Sequence, residues 1–349
     1  MRKPASRPSQ SSAPVVRAGR TRLVDVARAA GVSTMTVVRV LREPHKVAAA
    51  THARVRQVLT ETAYTPDLVA RGLASNRSGL VAAVVPLLTN SLIAEIVQGL
   101  TDALAPAGFH LLLGASGFSA TGEEALVRAF LSRRIDGIFL SGVTHTHETV
   151  RMLKDAAIPV VEGGNMTDRP IDMVVGYSNV KAASRVTQYL LKAGYSKIGY
   201  IGAFPKDNDR ARDRRRGYEL AVLAARRKVD TSLCVETTLD IDAGAQAMAT
   251  LLERHPDVHA VFCSADAIAV GALFECQRRH LAIPERIALA GFDDLAIAAQ
   301  VVPSLTTLRV PRYFIGQHAG NMIRDRLAGV SVKRRIVDTG FELVPRDSA

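Results

Sequence analysis

The sequence predicts two architectures in one chain: an N-terminal all-α helix-turn-helix headpiece, then an α/β body of two halves, each a doubly wound parallel sheet. Three observations carry that reading. Apolar residues recur at helical spacing on both sides of Gly31 between Leu23 and Leu41. Most of the net charge of +12 sits in the first fifth of the chain, where residues 1–77 hold 14 Lys and Arg against 4 Asp and Glu. From Gly79 onward short apolar runs alternate with helical patterns, and the alternation restarts after Tyr177.

Residues 1–20, rich in Ser, Pro and Arg, have too few apolar groups for a core and read as a disordered basic arm. In LVDVARAAGVSTMTVVRVL, Val26, Ala27 and Ala30 form one apolar face, and Ala27 is small where two helices must approach. Gly31 supplies the positive φ of the turn, and Val32, Val37 and Val40 cover the inner face of the second helix. Ser33 has the chemistry of that helix's N-cap, leaving Thr34, Met35, Thr36 and Arg39 facing out. A helix so presented can enter a major groove and offer its first turn to base edges, and the local basic charge suits a phosphate backbone. A third helix over Thr51–Thr62, around Val55, Val58 and Leu59, completes a headpiece of residues 21–66 and stops at Tyr64-Thr-Pro66.

In the body, Leu80–Pro86, Phe109–Ala115, Gly137–Leu140 and Pro159–Val161 are apolar throughout, the pattern of strands buried on both faces. After Tyr177 the expected order is a helix from Asn179 to Ala193, strand KIGYIG, helix 211–226, strand LCVETT, helix 243–254, strand AVFCS, helix 266–280 and strand IALAGF. Ligands of such sheets bind beyond the carboxyl ends of the strands, so a cleft between the halves is the expected site. Arg210, Arg212, Arg214, Arg215 and Arg216 crowd one helix start, where cations oppose the helix dipole and require an anion or full solvation. Asn90 and Ser91 follow the first strand, Glu162 ends the fourth, His145 lies in the loop after GIFLSG, and Asp293 follows the last. Asn90, Ser91, Glu162 and His145 face the cleft on this reading, and Asp293 has the chemistry of a cap for the next helix.

Other classes fit poorly. No run reaches the roughly 18 apolar residues of a spanning helix, and the N-terminus lacks the apolar segment of a signal peptide, so a cytoplasmic protein without membrane contact is expected. A sugar-binding transport protein would share the two-halved body but would have no use for residues 21–77. Cys234, Cys263 and Cys276 lack CxxC spacing and read as reduced thiols. His145 and His147 alternate in a polar loop, a poor metal site. Gly114-Ala-Ser-Gly117 lacks the GxGxxG spacing of a dinucleotide loop, so neither a cofactor nor an enzyme is expected.

LVDVARAAGVSTMTVVRVLR, the TxxRV of Thr51–Val55, Tyr64-Thr-Pro66, DLVARGLASNRSG and the closing AGFDD together resemble the LacI/GalR family of bacterial repressors, from about residue 21 to the end. Val143-Thr-His-Thr146, Ile158-Pro-Val-Val-Glu162, Phe274-Glu-Cys-Gln-Arg278 and Gly340-Phe-Glu-Leu343 are similar to its gluconate-utilisation branch. The resemblance implies a periplasmic-binding-protein-like body. Its N-terminal half would take residues 79–178 with about 310–328, and its C-terminal half 179–309 with about 331–349, after a hinge at 67–78. It places base reading on Thr34, Met35 and Arg39, flanked by Ser33 and Thr36, with Arg39 offering a fork to guanine. It makes residues 67–77 a hinge helix that folds only on DNA, carrying Ala70 and wedging Leu73 into the minor groove. Short and interrupted by Gly72, that segment is marginal as a free helix.

The resemblance gives Arg214 and Asp293 to ligand hydroxyls, and a sugar acid would add a carboxylate for the Arg214 fork. The chain departs from the family at Val38 and Ala48, where serines are usual, and at Ala265, where asparagine is usual. The implied partners are a palindromic operator, a small sugar-acid effector such as gluconate that relieves operator binding, and a second copy of the chain. A neutral sugar or polyol is the alternative effector. No leucine heptad follows GFELVP, which favours a homodimer over a tetramer, with the helix of Ala269–Arg278 at its interface.

Overall fold

The computed structural model describes residues 21–64, 77–88, 91–204, 206 and 208–349. The arm, the hinge positions Ala70 and Leu73, Asn90 and the side chain of Ser91 lie outside the described residues. Two compact units divide the chain, residues 1–75 and 76–349.

In the first unit, α1 (Leu23–Ala29), α2 (Thr34–Arg42) and α3 (Ala49–Glu61) close on Val26, Ala27, Ala30, Val37, Val40, Val55 and Val58. Gly31 turns the chain at φ +63°, a backbone region costly for any residue with a Cβ. The Ser33 hydroxyl accepts from the Thr36 amide at 3.2 Å and caps α2 as its sequence position predicts. At the other departure noted above, Ala48 stands at the N-cap of α3, which starts with no side-chain cap.

Among the described residues, the second unit holds three sheets. β1 (Leu80–Val85), β2 (His110–Ala115), β3 (Gly137–Ser141), β4 (Val160–Gly163), β5 (Met173–Gly176) and β11 (Ile336–Asp338) form the first, in the order β11-β5-β4-β3-β1-β2. β6 (Ile198–Ala203), β7 (Cys234–Thr237), β8 (Ala260–Cys263) and β9 (Ala288–Ala290) form the second, in the order β7-β6-β8-β9. Every pairing in these two sheets is parallel, whereas β10 (Thr307–Arg309) and β12 (Glu342–Val344) make a small antiparallel pair. Parallel neighbours need long crossovers, supplied by α4 (Ser91–Leu104), α5 (Ala120–Leu131), α6 (His147–Ala156), α8 (Asp209–Ala224), α9 (Ile241–Arg254) and α10 (Asp266–Arg278), while α7 (Asn179–Lys192) leads from β5 of the first sheet to β6 of the second. The last helix, α11 (Arg312–Leu327), lies against α4. Gly99 of α4 and Gly316 of α11 permit that approach, since a Cβ at either would collide with the facing backbone.

Two expectations are corrected. The apolar run Phe109–Ala115 is not buried on both faces: β2 is the sheet edge, and Leu113 is 41% exposed. Residues 331–349 do not all join the C-terminal half, because β11 pairs with β5 (Val337 beside Val175) and only the chain beyond it reaches β10 and β9. A three-residue strand carries too little pattern to assign from sequence. Cys263 and Cys276 are buried and Cys234 half-buried, all as free thiols. Among the described residues, no helix is long and apolar enough to cross a membrane.

Candidate functional site: a DNA-reading helix and a ligand cleft

On α2 the apolar side is consumed by the headpiece core, so the other side is free by default. Thr34, Met35 and Arg39 are exposed there, Met35 to 64%, while Thr36 is half-buried and bonded to the Ser33 hydroxyl at 2.9 Å. Val38, where the family usually has serine, is also half-buried.

Between the two halves of the body lies a cleft with about 730 Å³ of empty space, open solvent included. Ile93, Ile96, Phe118, Val310 and Ile315 supply apolar wall, and Asn208, Arg210, Arg214, Asp293 and Arg312 supply polar groups. Arg214, from the second turn of α8, is buried and heavily bonded. Its Nε donates to Asn179 Oδ1 (2.9 Å), Nη1 to the Ser264 carbonyl (2.6 Å), and Nη2 to the Tyr177 hydroxyl (3.0 Å) and Asp293 Oδ1 (3.5 Å). The guanidinium also lies 3.7 Å from the Phe292 ring centroid, in cation–π contact. A carboxylate therefore does not find an open fork at Arg214, which corrects the expectation that this residue would clamp an acid. Arg214 is fixed by the protein and presents an edge to the cleft.

Asp293 sits at φ +115°, an unusual backbone for a residue with a side chain. The conformation is held by its amide, which donates to the Leu308 carbonyl at 2.8 Å, and by Arg312 Nη1, which donates to its own carbonyl. Burial pushes its carboxyl up to about 6 against the pull of Arg214 and Arg312. Asp266, also buried and close to Asp293, is pushed up to about 7 while Thr307 Oγ1 (2.5 Å) and the Leu295 amide (2.7 Å) donate to it. Ala265 lies in the cleft wall and leaves α10 without a side-chain cap.

His145 and Glu162 do not line the cleft. His145 Nδ1 meets Glu123 Oε1 at 2.7 Å and its Nε2 stands 3.4 Å from Glu162 Oε1, too far out of line for a hydrogen bond, with its side chain 3% exposed. Glu162 Oε2 accepts from the Ile171 amide at 2.6 Å. Burial alone would lower the imidazole pKa, but the two carboxylates outweigh it and hold the ring protonated up to about 9. The loop after β3 carries His145 toward α5 because Glu123 of the first α5 turn offers it a buried acceptor.

Sequence reasoning placed Arg210 and Arg212 in a basic cluster but missed Asp209 and the fastening of the two halves to each other. Asp209 Oδ2 accepts from the Val143 amide (2.8 Å) and Asn165 Nδ2 (3.2 Å), Arg210 Nη1 donates to Ser141 Oγ (3.2 Å), and Arg212 Nη2 to Thr144 Oγ1 (3.2 Å). Burial opposes ionisation of Asp209, yet Arg210 and the Val143 amide more than offset it and hold its carboxyl below the usual range. Of the five clustered arginines, Arg215 pairs with Glu219 (2.7 Å) and Arg216 is exposed. Arg312, also missed, is a cleft residue 8% exposed; the only sequence signal is a cation at the first position of a helix.

A helix-turn-helix headpiece joined to a two-halved body with a polar cleft defines a class, the DNA-binding transcriptional regulators built on a sugar-binding fold. Residues 22–67 match the bacterial regulatory proteins of the lacI family, and residues 78–339 match the periplasmic binding proteins and sugar binding domain of the LacI family. The chain is 33% identical over 326 residues to the HTH-type transcriptional regulator GntR of Escherichia coli, covering 93% of this chain and 98% of that one. It is 35% identical over 325 residues to the regulator IdnR of the same organism, covering 93% and 97%. A LacI-family transcriptional regulator from Silicibacter pomeroyi superposes with a TM-score of 0.87 at 31% identity, over 94% of this chain and 99% of that one. The chain belongs to the LacI family of bacterial transcriptional regulators, and it is a regulator rather than an enzyme.

Proposed function

We propose that the chain is a cytoplasmic homodimeric repressor that holds two headpieces on a palindromic operator and releases it when a small polyhydroxy acid, gluconate or a relative, closes the cleft. One observation carries the acid reading: Arg210, Arg214 and Arg312 all line the cleft, and the carboxylate among the lining residues, Asp293, has its charge disfavoured by burial. A ligand bringing one negative charge improves that balance. On DNA, Arg39, Thr34 and Met35 of α2, flanked by Ser33 and Thr36, read base edges, and Leu73 with Ala70 in the hinge opens the minor groove.

Closure moves the two halves of each body relative to each other and changes the spacing at which paired hinges fit the operator. Ligand and DNA are then antagonists, each weakening the other by the same factor. Arg214 and Asp293 serve the hydroxyls. That all three Arg214 nitrogens already have protein acceptors favours, as a second reading, a ligand of hydroxyls alone.

Calorimetric titration of the full-length protein with gluconate, the matching neutral polyol and a set of neutral sugars separates the readings. Tighter binding of the acid by tenfold or more (about 1.4 kcal/mol), with loss of operator binding, is the expected result. Equal affinity for acid and polyol would overturn the acid reading.

A further inference from the structure

We infer that the charged end of the ligand docks on Arg312 at the start of α11 and not on Arg214. The inference rests on the acid-effector reading and deepens it by naming the group that distinguishes an acid from a polyol.

The first observation is an unmet donor. Arg312 is 8% exposed and lines the cleft. Its Nη1 donates to the Asp293 carbonyl, and its Nη2 to Glu95 Oε1 (2.8 Å) and the Asp294 carbonyl (3.4 Å). Its Nε is buried and, among the described residues, has no acceptor. A guanidinium N–H left dry and unpaired is costly, and an arriving acceptor recovers that cost.

The second observation is independent of the side chain. α11 runs for 16 residues, its N-cap is Pro311 with no side-chain cap, and its first turn holds no acid. The positive end of a long helix thus coincides with a cation, an arrangement that disfavours itself unless an anion is near. The carboxylate that meets Arg312 is Glu95, which is 47% exposed and so loosely held and screened by solvent.

Arg214 differs on each point, since every nitrogen is bonded, Asp293 supplies a buried countercharge and Phe292 covers one face. Arg210 likewise has Asp209 at 3.7 Å and the Ser141 hydroxyl. An incoming carboxylate that meets the Nε–Nη2 edge of Arg312 accepts two parallel N–H bonds and turns Glu95 out to solvent. Ile93, Ile96, Val310 and Ile315 line the same cleft, and such apolar wall lowers the local dielectric and strengthens the pair. The ligand class is a small anion bearing hydroxyls, its acid toward α11 and its hydroxyls toward Arg214 and Asp293. Because Arg312 belongs to α11 yet holds the backbone of Asp293, the ligand's charge is received where the two halves meet.

A phosphate group shares the required chemistry, so the titrations use gluconate, the neutral polyol glucitol, 6-phosphogluconate and inorganic phosphate on the full-length protein. Arg312→Gln should weaken gluconate by about 30-fold or more and glucitol by less than about threefold, erasing the preference for the acid. Arg312→Lys should restore part of that preference, because charge returns without the planar edge. Glu95→Gln, a change at a half-exposed residue, should tighten gluconate severalfold and leave glucitol unchanged. Arg214→Lys should weaken both ligands alike. Operator binding without ligand checks that each variant is folded. If the parent prefers gluconate and both Arg312→Gln and Glu95→Gln keep the parent's ratio, the docking site is wrong while the acid reading stands. A parent that binds gluconate and glucitol equally removes the acid reading, and this inference with it. Preference for phosphate or the phosphorylated acid, lost in Arg312→Gln, keeps the anion site and changes the ligand.

Discussion

The proposed reading face of the headpiece and the wall of the cleft both carry arginine, in opposite surroundings. Arg39 stands exposed on α2, attracted by the Glu43 charge but with no side-chain hydrogen bond among the described residues, so its donors can turn to whatever the helix meets. Arg214 is buried, bonded at all three nitrogens and stacked on Phe292. A reader of DNA can leave its donors to water until the groove replaces it. A cleft that must exclude water has to satisfy its cations internally and leave just the few groups that the ligand completes.

The contrast breaks first at Arg214. Arg214→Ala leaves Asp293 buried without its cation and should cost about 3–5 kcal/mol of folding stability by denaturant titration. Ligand binding should weaken by about 2–4 kcal/mol, and the variant should bind operator but not be induced. Unchanged stability would show that the Arg214 network is not the support described above.

His145 sharpens the same contrast, being a buried charge that serves no ligand. Its variant His145→Ala leaves Glu123 and Glu162 facing each other, a loss of about 2–4 kcal/mol in stability with ligand affinity within threefold of the parent. The parent should also show a pH signature. With the folded imidazole held up to about 9 against an ordinary value near 6.5, its contribution is fully present below about 6.5 and is lost as pH rises through 9. A fall of about 1–3 kcal/mol between pH 6.5 and 9.5 in the parent, absent in the variant, is the expected denaturation result. A flat parent profile would place the imidazole in its neutral form.

Arg39→Ala should reverse the Arg214 pattern. Stability stays within about 0.5 kcal/mol, whereas operator affinity falls by about 1–3 kcal/mol with relaxed preference at one base pair, measured by binding to operator variants. The smallest effect is expected of Ser33→Ala, which removes the α2 cap for about 1 kcal/mol of headpiece stability.

These two regions also divide what the sequence reveals. Gly31, Ser33 and the apolar faces of α1 and α2 are local features, since turn, cap and periodicity lie within a few residues of each other, and the structure places them as expected. Strands β1–β4 and β6–β9 were likewise legible in the sequence, whereas the short β5 and β11 were not. Cleft residues depend instead on contacts between distant segments. Arg214 and Asp293 were found through resemblance, while the partners of Asp209 and Arg312, namely Val143, Asn165, Glu95 and Asp294, come from elsewhere in the chain and leave no local signal of the contact. His145 and Glu162 misled for the same reason: a strand end points toward a cleft only if no nearer carboxylate or amide captures the side chain.

The fastening of the halves at Asp209 and Arg210 bears on time rather than on affinity. On the proposed function, a ligand held behind the bonds from Val143 to Asp209 and from Arg210 to Ser141 waits on their parting, so these contacts between the halves should bear on its residence. A regulator built this way should keep its ligand-bound state for the lifetime of those contacts after free ligand has gone, and Asp209→Asn should shorten that interval in a stopped-flow chase while leaving the order of ligand preference intact.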